Sequence, residues 1–317
     1  MSAEKFKPLH FSTEGRVGLK ALASWRELCG QELMKVEMDP LGGVPFSCAA
    51  TLRALPGLAI ASITSSPNRL TRTKKLAADG NDDFLFVVPT TGRTVISAHG
   101  REVSLGSGDA TLLSAADPNV SVIPSQSRFL TLAIPAAVIA PYISMDESLT
   151  TLIPAATDVL QLLVGYVASL NDEMMLSAPD TRRQFVTHIH DLVALALGAG
   201  RDAKAMAEGR GLRAARLRAI KTEIIENLER RELSVDMLAV RHRISDRYIR
   251  RLFENEGTTF TEFLLIQRLK RAHALLTDVR YADRTISQIA FDAGFSDLSY
   301  FNKSFRRHFG MTPSSAR

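Results

Sequence analysis

The chain has 317 residues, enough for two ordinary domains, and its 45% apolar and 23% charged content is the balance of a globular protein with room for a core in each. No apolar run approaches the ~18 residues of a membrane span, the start Met1–Phe6 lacks a secretory apolar stretch, and Cys29 and Cys48 alone give neither a disulfide framework nor a zinc site. The net charge of +5 is unevenly spread: residues 1–200 carry 16 Lys+Arg against 19 Asp+Glu, net −3, whereas 201–317 carry 23 against 15, net +8, so the C-terminal part is the one suited to a polyanion.

In chain order, Gly18–Cys29 is predicted as a short helix with Leu19, Leu22 and Trp25 on one face. Short apolar runs then follow at Glu32–Met38, Leu58–Ile63, Phe84–Val88, Thr94–Ser97, Ala110–Leu113, Val120–Ile123 and Phe129–Ile134, separated by glycine, proline and Asp/Asn turns. Strands at this spacing predict a β-barrel or jelly-roll sandwich. The period switches to helical at Asp158–Leu170 and Thr181–Leu197. Their apolar stripes either pack on the β domain or pair two subunits, so a homodimer is one expectation. Residues 199–211, small, polar and with three glycines, have linker composition.

From Leu212 onward the pattern is helical: Leu212–Arg230, Val235–His242, Ser245–Glu254, Thr259–Thr277, Ile286–Asp292 and Ser296–Phe309. Ser234, Ser245 and Ser296 are predicted N-caps, and Thr259…Glu262 and Thr285…Gln288 fit capping boxes. A pseudo-repeat runs through this part. Leu238-Ala239 precedes Ile244-Ser245-Asp246, Tyr248-Ile249 and Phe253. Ile289-Ala290 precedes Phe295-Ser296-Asp297, Tyr300-Phe301 and Phe305, with one extra residue assigned to the second recognition segment. This is the chemistry of a helix-turn-helix: a small Ala for close crossing, an apolar plug in the turn and a Ser to cap the second helix. The two units span about 235–255 and 286–309. Arg247, Arg250 and Arg251 are left outside in the first, and Ser299, Asn302, Lys303 and Arg306 in the second.

The run Ala293-Gly-Phe-Ser-Asp297, then Ser299-Tyr-Phe301, then Phe309-Gly-Met-Thr-Pro-Ser314 resembles the AraC/XylS transcription regulators, a likeness covering about 212–317. The first unit departs from that pattern at Arg243, which stands where the second has Gly294. The resemblance implies an α+β two-domain chain: 1–198 a cupin-like effector-binding and dimerisation domain, 199–211 a linker, 212–317 an all-α double helix-turn-helix. It implies double-stranded promoter or operator DNA as partner, a small-molecule effector, RNA polymerase if the protein activates, no cofactor and no membrane, in the cytoplasm with the nucleoid.

By spacing, a connecting helix of roughly 28 Å at ~1.5 Å per residue suits major-groove segments repeating about every 34 Å. Arg247, Arg250 and Arg251 are suited to guanine edges or phosphates, and Asn302 to adenine; Lys303, Arg306 and Arg307 are expected to hold phosphates. No metal site is expected. His188 and His190 diverge on a helix, and His99 is the lone histidine of the β segment. Two other classes stand beside the regulator. An alkyl-transfer DNA-repair enzyme would need a reactive cysteine in a basic or metal-assisted setting, and neither Cys29 nor Cys48 fits. An architectural protein would bind DNA without sequence preference.

Overall fold

The computed structural model describes residues 8–13, 19–43, 45–142, 148–169, 178–198 and 211–317. The expected linker, apart from Gly211, lies outside the described residues, as do Gly18 and Met1–Phe6. The chain divides into two compact units, Met1–Ala215 and Arg216–Arg317.

The first unit opens on β1 (Leu9–Ser12) and α1 (Leu19–Glu32), then β2 (Glu37–Pro40), β3 (Cys48–Leu55), β4 (Leu58–Ser65), β5 (Asn68–Arg72) and the one-turn α2 (Lys74–Ala77). It continues with β6 (Phe84–Thr91), β7 (Thr94–Ala98), β8 (Arg101–Leu105), β9 (Thr111–Ser114), β10 (Asn119–Ile123), β11 (Ser127–Ile134), α3 (Ala136–Ile139), α4 (Asp158–Ala168) and α5 (Pro179–Ala196). All named strand pairs are antiparallel. They form a six-stranded sheet, β1-β3-β4-β11-β6-β9, and a five-stranded one, β2-β5-β10-β7-β8. Neither sheet closes on itself, so the architecture is the sandwich and not the barrel. The expected strand Glu32–Met38 is mostly displaced, because α1 runs on to Glu32 and only Glu37 and Met38 enter β2.

The six-stranded sheet is buried on both faces at β6 and β11, which explains their near-continuous apolar runs. Phe84, Phe86 and Val88, with Leu130, Leu132 and Ile134, face Leu160, Leu163, Phe185, Ile189 and Leu192 of α4 and α5. Leu85, Leu113 and Ala133 on the other face meet Ile96, Val103 and Leu105 of the second sheet and Trp25 of α1. The buried residues of the stripes of 158–197 therefore pack on their own sheet. The two histidines of α5 serve the same packing: His190 Nε2 lies 2.9 Å from the Gly57 carbonyl, and His188 Nδ1 lies 2.8 Å from the Tyr166 hydroxyl on α4.

The second unit takes most of α6 (Gly211–Glu226), then α7 (Val235–His242), α8 (Asp246–Glu254), α9 (Phe260–Thr277), α10 (Ile286–Asp292) and α11 (Leu298–Phe309). It starts at Arg216, later than the expected 212, because Leu212 and Ala215 belong to the core of the first unit. It has two cores. Ile220, Ile224, Leu238, Ile249 and Phe253 build one, joined by Phe260 and Leu264 from the start of α9. Ile289, Ala290, Phe301 and Phe305 build the other, joined by Leu269, Ala272 and Leu276 from its end. One helix thus carries a helix-turn-helix at each end.

Candidate nucleic-acid interface

In the first helix-turn-helix, Ser234 caps α7 by accepting from the Met237 N–H, and Ser245 caps α8 by accepting from the Tyr248 N–H. The turn between them is a Schellman closure. Arg243 adopts φ 52°, and the Ile244 N–H donates to the Ala239 carbonyl at 3.0 Å. The second unit repeats it bond for bond, with Gly294 at φ 92° and the Phe295 N–H donating to the Ala290 carbonyl at 3.0 Å. Arg243 and Gly294 are therefore equivalent in conformation as well as in sequence, and the departure at Arg243 leaves the turn intact.

One prediction is corrected. The cap of α11 is Asp297, accepting from the Tyr300 N–H at 2.8 Å, and not Ser296. The extra residue of the second repeat is thus taken up in the turn rather than within the recognition segment. Cap and tyrosine stand at the same offset in both units, Ser245 to Tyr248 and Asp297 to Tyr300. Arg247, Arg250 and Arg251 then correspond to Ser299, Asn302 and Lys303. Thr285 and Gln288 form the predicted capping box with both reciprocal bonds. Thr259 accepts from the Glu262 N–H, while the Glu262 carboxylate takes the Thr258 hydroxyl.

The side chains named from sequence fall where the pattern puts them. Ile249, Leu252 and Phe253 are buried on α8, Phe301 and Phe305 on α11. Arg247, Arg250 and Arg251 are exposed on the first recognition helix; Ser299, Asn302, Lys303, Arg306 and Arg307 are exposed on the second. Arg250 lies 3.9 Å from Asp246 one turn back, an exposed pair worth little. Asn302, Lys303, Arg306 and Arg307 line an open cleft together with Thr312, Pro313 and Ser314. Sequence reasoning left Thr312 and Ser314 out of the site, although the Thr-Pro-Ser turn that carries them was legible. What the arrangement offers chemically is two clusters of nitrogen donors, fit for phosphate oxygens and for base edges.

The two helix-turn-helix units are tied together through the turn that follows α6. Arg268 of α9 donates from Nε to the Leu228 carbonyl at 3.1 Å and from Nη2 to the Arg230 carbonyl at 2.7 Å. Arg271 pairs with Glu229 at 2.9 Å, and Arg231 stacks over Phe291 of α10 at 4.9 Å. This seam joins the turn after α6 to α9 and α10.

The first unit holds a cavity of about 90 Å³ between its sheets, lined by residues of α1, β4, β5, β6, β7, β9, β10 and β11. The two thiols are both buried. Burial raises the Cys29 pKa to about 11, and burial, with a smaller contribution from neighbouring Cys29, raises that of Cys48 as well.

Residues 25–198 match the model of an AraC-binding-like domain and residues 238–317 that of a helix-turn-helix domain. Over 247 residues the chain is 30% identical to the transcriptional activator RhrA of Rhizobium meliloti (strain 1021), covering 76% of each protein. It is 25% identical over 282 residues to the transcriptional activator NphR of Rhodococcus sp, covering 87% of this chain and 79% of NphR. The crystal structure of the AraC-like transcriptional activator CuxR shares the fold, with a TM-score of 0.51 at 18% identity over 84% of this chain and 95% of that one.

Proposed function

The chain belongs to the AraC/XylS family, whose members are DNA-binding transcription regulators and not enzymes, and from that premise we propose how its parts divide the work. Residues 216–317 are the DNA-binding part, 1–198 the part that takes a small-molecule effector between its sheets, and 199–211 the link, with the first turn of α6 packed in the first unit. In this reading Arg247, Arg250 and Arg251 meet one major-groove segment. Ser299 and Asn302 meet the next, while Lys303, Arg306 and Arg307 hold flanking phosphates. The 18 residues of α9 span roughly 27 Å at ~1.5 Å per residue, compatible with grooves repeating about every 34 Å. The observation that carries this is the pair of capped recognition helices with exposed donors at the two ends of one connecting helix.

RhrA and NphR are named activators, so activation through contact with RNA polymerase is the proposed output, in the cytoplasm at the nucleoid. A homodimer through the α4–α5 pair is part of this reading, with Val159, Leu162 and Val164 half-buried at the edges of the packed face of α4. Footprinting on the DNA flanking its own coding region tests the core of this proposal. Protection of two successive major-groove segments on one face is expected. Uniform protection at any sequence would instead identify an architectural protein.

A further inference from the structure

We propose that the cavity between the two sheets is a site for one small neutral molecule with an apolar body, and that it rejects ionised molecules of the same size. This rests on reading the first unit as the effector-responsive part, and it names the chemical class of the effector.

Strand alternation builds the walls. On the five-stranded sheet, Ser121 of β10 pairs with Leu70 of β5 on one side and with Ile96 of β7 on the other, and all three line the cavity. On the six-stranded sheet, Phe129 and Thr131 of β11 and Leu85 and Val87 of β6 line it, while the intervening Leu130, Phe86 and Val88 belong to the core under α4 and α5. None of the lining residues is a carboxylate, lysine, arginine or histidine, and most are apolar. Arg72, at the end of β5, has its guanidinium spent on the Ala115 and Lys35 carbonyls and on Asp79, so it supplies no free charge.

The neutral polar groups of the lining are few and mostly engaged. The Thr94 hydroxyl donates to the Val122 carbonyl at 3.1 Å, the Ser65 hydroxyl to the Ser66 carbonyl at 3.2 Å, and the Cys29 thiol to the Met34 carbonyl at 3.5 Å. Asn68 donates from Nδ2 to the Ser65 hydroxyl at 2.8 Å and to the Ser66 carbonyl at 2.6 Å, and its Oδ1 is closed to a water-sized molecule. Only the hydroxyls of Ser121 and Thr131 have no hydrogen-bond partner among the described residues. Two hydroxyls are therefore the most that the lining holds in reserve. They suffice for one neutral polar group, as donor or acceptor, but do not replace the water shell of an ion that has no counter-charge. An apolar body gains by leaving water for walls of this kind. The volume, about 90 Å³, is room for one small ring.

The test titrates three probes of equal heavy-atom count into the full-length protein at neutral pH, followed by ligand-observed NMR. Cyclopentanol is neutral, cyclopentylamine is a cation and isobutyrate an anion. Cyclopentanol is expected to bind, about tenfold or more tighter than either ion. Val87→Phe on β6 and Leu70→Phe on β5 each fill the cavity from one wall. Whichever keeps the parental circular dichroism is expected to lose cyclopentanol binding. Binding of no probe, a preference over either ion below about tenfold, or undiminished cyclopentanol binding in a folded filled variant would overturn the proposal. The comparison of the three probes needs no variant, so it decides even if both substitutions unfold the chain. DNA affinity with and without cyclopentanol is read separately. Selective binding that leaves DNA affinity unchanged would uphold the cavity's chemistry and overturn its role as the effector site.

Discussion

Gly294 lies so close to the Leu228 carbonyl that a Cβ added to it would stand 2.0 Å from the oxygen. The same oxygen accepts from Arg268, so it cannot swing aside without breaking the seam between the two helix-turn-helix units. Gly294 is thus fixed twice, by a positive φ and by contact with backbone. Gly294→Ala is expected to destabilise the C-terminal unit by about 3 kcal/mol, beyond the ~1–2 kcal/mol of the left-handed conformation alone. Arg243→Gly, at the equivalent turn of the first unit, is expected to be neutral or to stabilise by up to ~1 kcal/mol. Chemical denaturation followed by circular dichroism reads both; a loss at Gly294→Ala no larger than the ~1–2 kcal/mol of the left-handed conformation would mean that Leu228 yields readily.

The cap of the second recognition helix gives a second prediction. Removing the side chain of Asp297 orphans the Tyr300 N–H and should cost about 1 kcal/mol, whereas Ser296→Ala, one residue earlier, should fall within about 0.5 kcal/mol of the parent. Urea midpoints of the two variants decide it, and a larger loss at Ser296 would restore the serine as the cap.

On DNA the two recognition helices are expected to behave differently. Arg247→Ala or Arg250→Ala should weaken the specific site by about 1–3 kcal/mol and relax preference at one base pair. Arg306→Ala, in the cleft with Thr312 and Ser314, should weaken specific and scrambled duplexes alike and lower the salt slope by roughly one. Titration of both duplexes across a salt series separates the outcomes. Parallel losses for the α8 variants would move base reading to Asn302 and Ser299.

His190 is expected to make the first unit sensitive to acid. Burial pulls its pKa below the ordinary histidine value, against smaller opposing effects of the Gly57 carbonyl and Asp191. The folded state therefore favours neutral imidazole, donating from Nε2 to Gly57. That contribution is complete above the unfolded value of ~6.5 and is lost as pH falls through it toward the depressed folded value. His190→Gln, which keeps a donor, should flatten the stability profile in that window. Thermal melts from pH 7.5 to 5 check this, and an unchanged slope would assign the acid sensitivity to other groups.

The helical half was legible in the sequence because its signals are local. Ser234, Ser245 and Thr285 cap their helices as read, and α7 and α10 have the predicted bounds. The β half was less so, because its polar residues are satisfied by partners far along the chain. Asn-Arg-Leu-Thr-Arg of β5 has no apolar run and is absent from the predicted strands, yet Asn68 and Arg72 are both buried, the arginine held by carbonyls at Lys35 and Ala115 and by Asp79. No spacing rule links those positions. The misplaced cap at Ser296 arose from a tie: Ser and Asp are equally good caps, and only the turn's length chose between them.

Along β6, Leu85 and Val87 line the cavity while Phe84, Phe86 and Val88 seat α4 and α5. Successive side chains of a strand ride on one backbone and point to opposite faces. The strand is therefore a partition rather than an outer wall. A shift of the β6 backbone is shared by the cavity wall and by the bed of the helices.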